Sequence, residues 1–280
     1  MTGQATSPIK IAPEQALSVC EITTKYMSFE EDVRAYAAAG LNGISLWWDK
    51  LSAHGVARGA RLLRDAGLPA ISMVGVPFMV AADPSQTEKT FEDLCRALDD
   101  CAEVGAPILG VVPGNRHGRS VHAMEGATGE ALLRLGNEAE KRGVTLALEA
   151  IHEPYFDFLN SLADADRIVR DVGLASVGIL FDAWHLCHEP DLFKRIEETA
   201  ERIVLAHFSD WREPTRYHDD RLLPGQGVLP LKSILRKLNA SGYQGFYDVE
   251  VFSEDIWRGN QSENLRVCRT FFDSVWADER

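Results

Sequence analysis

Along the chain, amphipathic stretches with helical spacing end in glycine, and a short apolar run follows within a few residues. The join recurs at Gly40 before Gly43–Trp47, at Gly67 before Ala70–Val74 and at Gly105 before Pro107–Val112. It returns at Gly143 before Val144–Leu148, at Gly173 before Val177–Phe181 and at Gly242 before Gly245–Val249. A glycine in the left-handed region stops a helix and turns the chain. The runs that follow are nearly continuous in apolar residues, as strands covered on both faces must be. Leu17–Ile22 opens the series, and Ile203–His207 follows a helix that ends without glycine.

Helix starts agree with this layout. Ser28 with Glu31 has the spacing of a capping box, and Ser161 with Asp164 repeats it with a shorter acid. Eight strands alternating with helices leave a doubly wound sheet or a closed barrel. Eight units within 280 residues favour an α/β fold of the (β/α)8 TIM-barrel type, whose common size is about 250 residues. No Gly-x-Gly-x-x-Gly follows an early strand, which argues against a dinucleotide fold. No linker or low-complexity break intervenes. Residues 1–280 are therefore expected as a single barrel domain, with 1–14 as a flexible or capping N-terminal segment.

Composition narrows the partners. Hydrophobic residues at 45% and charged residues at 25% suit a core that needs no disulfide or metal staple. The net charge of -13 works against a duplex nucleic acid or an anionic membrane. The five cysteines (Cys20, Cys95, Cys101, Cys187 and Cys268) are odd in number and contain no Cys-x-x-Cys, unlike a disulfide framework or zinc ribbon. The polar Met1–Lys10 segment is unlike a signal peptide. No apolar stretch reaches the roughly 20 residues of a membrane span. A reduced, cytoplasmic protein is the expectation.

In a barrel of this kind, chemistry sits where the strands end. Strand five ends in Glu149, strand six in Asp182, strand seven in His207 and strand eight in Glu250. One polar residue at a strand end is ordinary punctuation. Four metal-competent side chains on consecutive strands are not, because charged groups there are costly to bury unless paired or liganded. Three carboxylates and an imidazole suit one divalent ion: Mn2+ first, with Mg2+, Co2+ or Zn2+ as alternatives. Such an ion would act as a Lewis acid, stabilising negative charge that develops on a bound oxygen.

Further candidates line the predicted mouth. Trp47, at the end of strand two, is a flat apolar platform for a ligand or a core residue. Lys25, Asn115, Arg116 and His117 occupy mouth loops, where a cation meets a substrate anion or stays solvated. Asp210, Arg212 and Arg221 flank the loop after strand seven and are carried as substrate contacts with the same ambiguity. His185, close behind Asp182, contacts substrate or orients a ligand. His185, Cys187 and His188 do not make a convincing zinc cluster. His152, just past strand five, is a base candidate if it points inward.

Glu149, Asp182, His207 and Glu250 on successive strands resemble the metal quartet of the xylose-isomerase-like sugar isomerase and epimerase superfamily, across nearly the whole chain. Asp182-Ala-Trp-His185 matches its Asp-x-x-His pattern. Within it, the chain resembles a subgroup that includes the catalytic subunits of C-glycoside deglycosidases. The cues are Trp47–Leu51, Leu148–His152, Asp210–Thr215 and Asp220–Gly227. The resemblance implies proton transfer next to a sugar carbonyl, with Glu149 and Glu250 acting on opposite faces of the carbon. The subgroup implies His152 as base and β-elimination from a 3-oxo-glycoside. It also implies self-association or a small partner subunit. Two alternatives stay open: an abasic-site phosphodiesterase, disfavoured by the acidic charge, and a non-catalytic sugar- or partner-binding barrel, disfavoured by the intact quartet.

Overall fold

The computed structural model describes residues 11–277. Eight strands close into a parallel barrel: β1 (Leu17–Cys20), β2 (Gly43–Trp47), β3 (Ala70–Val74), β4 (Ile108–Val111), β5 (Thr145–Glu149), β6 (Val177–Asp182), β7 (Ile203–Phe208) and β10 (Tyr247–Val249). Each pairs with its chain neighbours, and β1 closes the ring against β10. The six join glycines all adopt φ between 64° and 99°, so the turn from helix to strand is made as the pattern predicts. Ser28 and Glu31 form a reciprocal capping box, and the Ser161 hydroxyl accepts from the Asp164 backbone N–H.

The predicted strand bounds shift at the rim. The first strand ends at Cys20, and Glu21–Thr24 coils into a 3-10 turn. The pattern did not anticipate a short antiparallel hairpin, β8 (Asp210–Trp211) with β9 (Arg221–Leu222), inside the loop after β7. The main core lies between strands and helices, and a separate cluster of Ile71, Ala147, Leu180 and Leu205 forms apart from it. Of the predicted N-terminal segment, residues 1–10 lie outside the described residues. Ile11 packs against the core, and Arg269 donates to the Glu14 carbonyl, so residues 11–14 lie on the barrel. All five cysteines are free. Among the described residues, no helix is long and apolar enough to cross a membrane.

Candidate active site

Side chains alternate across a strand, so a residue at the C-terminal end of a barrel strand that points inward stands at the mouth. Glu149 and Asp182 are the last residues of β5 and β6, His207 is the penultimate residue of β7, and Glu250 directly follows β10. Each offers one donor atom, and the four atoms lie within 4.8 Å of one another. The four groups that the strand ends predict thus converge at one point.

Their electrostatics are those of charges crowded out of water. Burial pushes the Glu149 carboxyl up to about 8, and the nearby Glu250 adds to the shift. Burial disfavours the His207 imidazolium, but Glu250, Asp248 and Glu149 outweigh it and hold the ring up at about 10. Burial also works against ionised Asp182, yet Arg221, His185 and His207 bring it below its usual range. Neither nitrogen of buried His207 has a hydrogen-bond partner among the described residues. Nδ1 stands 3.6 Å from Glu250 Oε2 and Nε2 stands 3.4 Å from Asp248 Oδ2.

Arg221 reaches into this cluster from β9. Its Nη1 donates to Asp182 Oδ2 at 3.0 Å and to Glu250 Oε2 at 3.3 Å, while the guanidinium lies 4.4 Å from the Trp184 ring centre. Its Nη2 stands 3.0 Å from His185 Nε2. An arginine only donates, so His185 Nε2 accepts and its Nδ1 carries the proton. That proton points at His152 Nδ1, 2.8 Å away. Both nitrogens of His185 are therefore occupied. Burial keeps His185 neutral, and it pulls His152 down to about 4, with His188 adding to the shift.

A cavity of about 390 Å3 opens over Glu149 and Glu250 of the quartet. Glu149, Glu250, His185 and Arg221 supply one side. Apolar side chains make up much of the remaining lining: Trp47, Val74, Val76, Phe78 and Phe156, with Phe252 lying 5.1 Å from the Arg221 guanidinium. Gly75, at φ 75°, allows the Trp47 indole to lie against the backbone, since a Cβ there would stand 2.5 Å from the ring. Tyr155 and His218 close the rim, with ring centres 3.7 Å apart.

The remaining sequence candidates do not line the cavity. His152 stands behind His185, enclosed by Tyr155, Trp184 and Trp211. Asn115 and Arg116 are engaged with the 150–160 loop: Asn115 Oδ1 accepts from Asp157 N, and Arg116 Nε donates to the Asp157 carbonyl. Asp210 is buried and accepts from the backbone N–H groups of Trp211, Gly225 and Leu229, stapling the loop beyond the hairpin. Arg212 donates to Asp220. Lys25 lies 3.9 Å from the Trp257 ring centre, and His117 is exposed. Sequence reasoning missed the phenylalanines of the apolar wall and also Asp248. Phe78 and Phe156 fall in loops without periodicity. Asp248 does carry a signal: it sits two residues before Glu250, on the same face of its strand.

The family model for the xylose isomerase-like TIM barrel matches residues 33–271, and the chain belongs to that family. An inosose isomerase of Bacillus velezensis is 23% identical over 80% of this chain and 82% of its own length. Among solved structures, protein SMc04130 from Sinorhizobium meliloti 1021 has a TM-score of 0.88 at 30% identity, covering 94% of this chain and 98% of its own. The IOLI protein, solved with a zinc atom, has a TM-score of 0.85 at 20% identity and the same coverage.

Proposed function

We propose that the chain is a divalent-metal-dependent carbohydrate enzyme of sugar isomerase and epimerase type, which removes a proton next to a sugar carbonyl. The observation that carries this reading is the meeting of Glu149, Asp182, His207 and Glu250 within 4.8 Å beside a cavity of about 390 Å3. The unpartnered nitrogens of buried His207 fit a cation there. The donors favour Mn2+, with Mg2+, Co2+ or Zn2+ acceptable. A zinc atom is bound in the structure of IOLI, a protein of the same fold, which is in keeping with a bound cation here. When bound, the cation supplies Lewis-acid stabilisation of the charge that develops on the carbonyl oxygen.

The chain's own residues do the rest. Glu149 and Glu250 both line the cavity, and they take and return the proton on opposite faces of the carbon. Arg221 holds Asp182 and Glu250 in place, and Trp47 carries the apolar face of the sugar ring. His152 serves only through His185, to which it is bonded.

Within this class we infer β-elimination from a 3-oxo-glycoside. A carboxylate takes the C2 proton, and the electron pair of the broken C2–H bond forms the C1=C2 bond. The bond from C1 to the aglycone breaks, and the aglycone leaves with the electron pair of that second bond and gains a proton. The product is a 1,2-unsaturated 3-oxo sugar. The wall of Val74, Val76, Phe78, Phe156 and Phe252 supports this choice. Those side chains give a hydroxyl-rich ring nothing to bond, which is costly, whereas a flat apolar aglycone packs well on them.

The test is to incubate Mn2+-loaded protein in D2O with free keto-sugars and with aryl 3-oxo-glycosides. Deuterium at the carbon next to the carbonyl and release of aglycone are expected. Exchange and isomerisation of a free ketose without aglycone release would leave the class and remove the elimination. Full activity after exhaustive chelation, or neither exchange nor aglycone release with any carbonyl sugar, would overturn both.

A further inference from the structure

Inward-facing residues of a barrel stack in layers. Two residues before Glu149, Asp182, His207 and Glu250 stand Ala147, Leu180, Leu205 and Asp248, which the alternation of β5, β6, β7 and β10 puts one layer beneath the quartet. Three of these are apolar and join one cluster with Ile71. The fourth is a carboxylate with no exposure to solvent. A carboxylate in such a place is costly unless its oxygens are met.

One oxygen is met by a hydroxyl. Ser18 Oγ donates to Asp248 Oδ1 at 2.5 Å. Ser72 Oγ donates to Ser45 Oγ at 2.7 Å, which leaves the Ser45 proton for the Asp248 carboxylate. Ser18, Ser45 and Ser72 come from three successive strands, β1, β2 and β3, and all are fully buried. The other oxygen, Oδ2, has no hydrogen-bond partner among the described residues, and His207 Nε2 stands 3.4 Å from it. The imidazole thus lies between two carboxylates, with Nδ1 toward Glu250 and Nε2 toward Asp248. Asp248 is outside the converging quartet.

We propose that Asp248 is a positioning residue that accepts the Nε2 proton of His207, fixing the tautomer that presents the Nδ1 lone pair to the cation, with Ser18, Ser45 and Ser72 as its anchor. The proposal rests on the metal-binding reading above. A neutral imidazole carries one proton and one lone pair, so whichever nitrogen donates decides which one can ligate. Asp248 makes that choice from below, and the Ser18 hydroxyl, by holding Oδ1, leaves Oδ2 toward the ring.

The experiment uses the whole chain, zinc as a diamagnetic probe, and 15N-labelled histidine. In zinc-loaded protein, two-bond 1H–15N spectra are expected to show His207 with Nδ1 as the metal-bound nitrogen and a protonated Nε2. Asp248→Ala is expected to weaken zinc binding about 10–100-fold, as loss of an outer carboxylate partner does, and to remove the fixed tautomer signature. Asp248→Asn keeps a carbonyl acceptor and is expected to retain the signature and lose less affinity. It also serves if the alanine variant does not fold. Zinc bound through Nε2, or affinity within twofold of wild type in both variants, overturns the proposal. His207→Ala separates the two readings: if it abolishes zinc binding while the Asp248 variants do not change it, only the positioning role fails. A wild type that binds no zinc ends both.

Discussion

The two halves of the barrel mouth are built from opposite materials. Strands β5, β6, β7 and β10 end in ionisable groups packed within 4.8 Å of one another, tied together by a buried arginine. Across the cavity, β2 and β3 and the loops that follow β3 and β5 present Trp47, Val74, Val76, Phe78 and Phe156. One half can hold charge and move protons, and the other can only exclude water and offer shape. Chemistry and selection are therefore separable here: damage to the first half should change turnover for every substrate, and damage to the second should change which substrate is preferred.

The largest test of this division is Glu149→Gln. It removes a candidate proton acceptor and a candidate ligand at once, so turnover should fall by about 10²–10⁴-fold for free sugar and glycoside alike, read by deuterium exchange and product release. A loss confined to one substrate would break the division. Next is Arg221→Ala, which strips the partner from Asp182 and Glu250. Leaving buried charge unpaired costs about 3–5 kcal/mol, and denaturant unfolding of metal-free protein should show it. The loss should shrink in metal-loaded protein, where a cation takes over the pairing. Equal losses in both forms would mean that no cation occupies the quartet.

Phe156→Ala is smaller. Losing one aromatic contact should raise KM for an aryl glycoside by about 2–10-fold and leave a small free ketose unaffected. A matching rise for both substrates would mean that the wall supports the site instead of selecting for it. Smallest are Asn115→Ala and Arg212→Ala. Each side chain is already engaged, Asn115 by the backbone of Asp157 and Arg212 by Asp220, so kcat/KM should stay within about twofold, in line with the modest worth of partly exposed pairs. A larger drop for either would extend the selecting half to the rim.

The charged half of the mouth was far more legible in the sequence than the apolar half, for a physical reason. Glu149 and Asp182 terminate apolar runs, so strand periodicity alone brings them to the rim beside His207 and Glu250. The glycine joins that set the barrel's rhythm, such as Gly143 and Gly173, work by backbone conformation and are visible one residue at a time. Phe78 and Phe156 lie in loops, where no period says which way a side chain turns. The role of Arg221 depends on a two-strand hairpin nested in a loop, and a run as short as Arg221–Leu222 has no recognisable pattern. His152 illustrates the same limit. Spacing brings it near Glu149, but only the fold shows that His185 stands in front of it.

Because Arg221 comes from that hairpin and not from the barrel wall, the countercharge for Asp182 and Glu250 rides on a loop excursion. Grafting a different excursion between Phe208 and Leu223 would therefore retune how strongly the floor attracts a cation, as well as reshaping the entrance. A lineage diversifying this loop would be altering ion demand and substrate range in the same step.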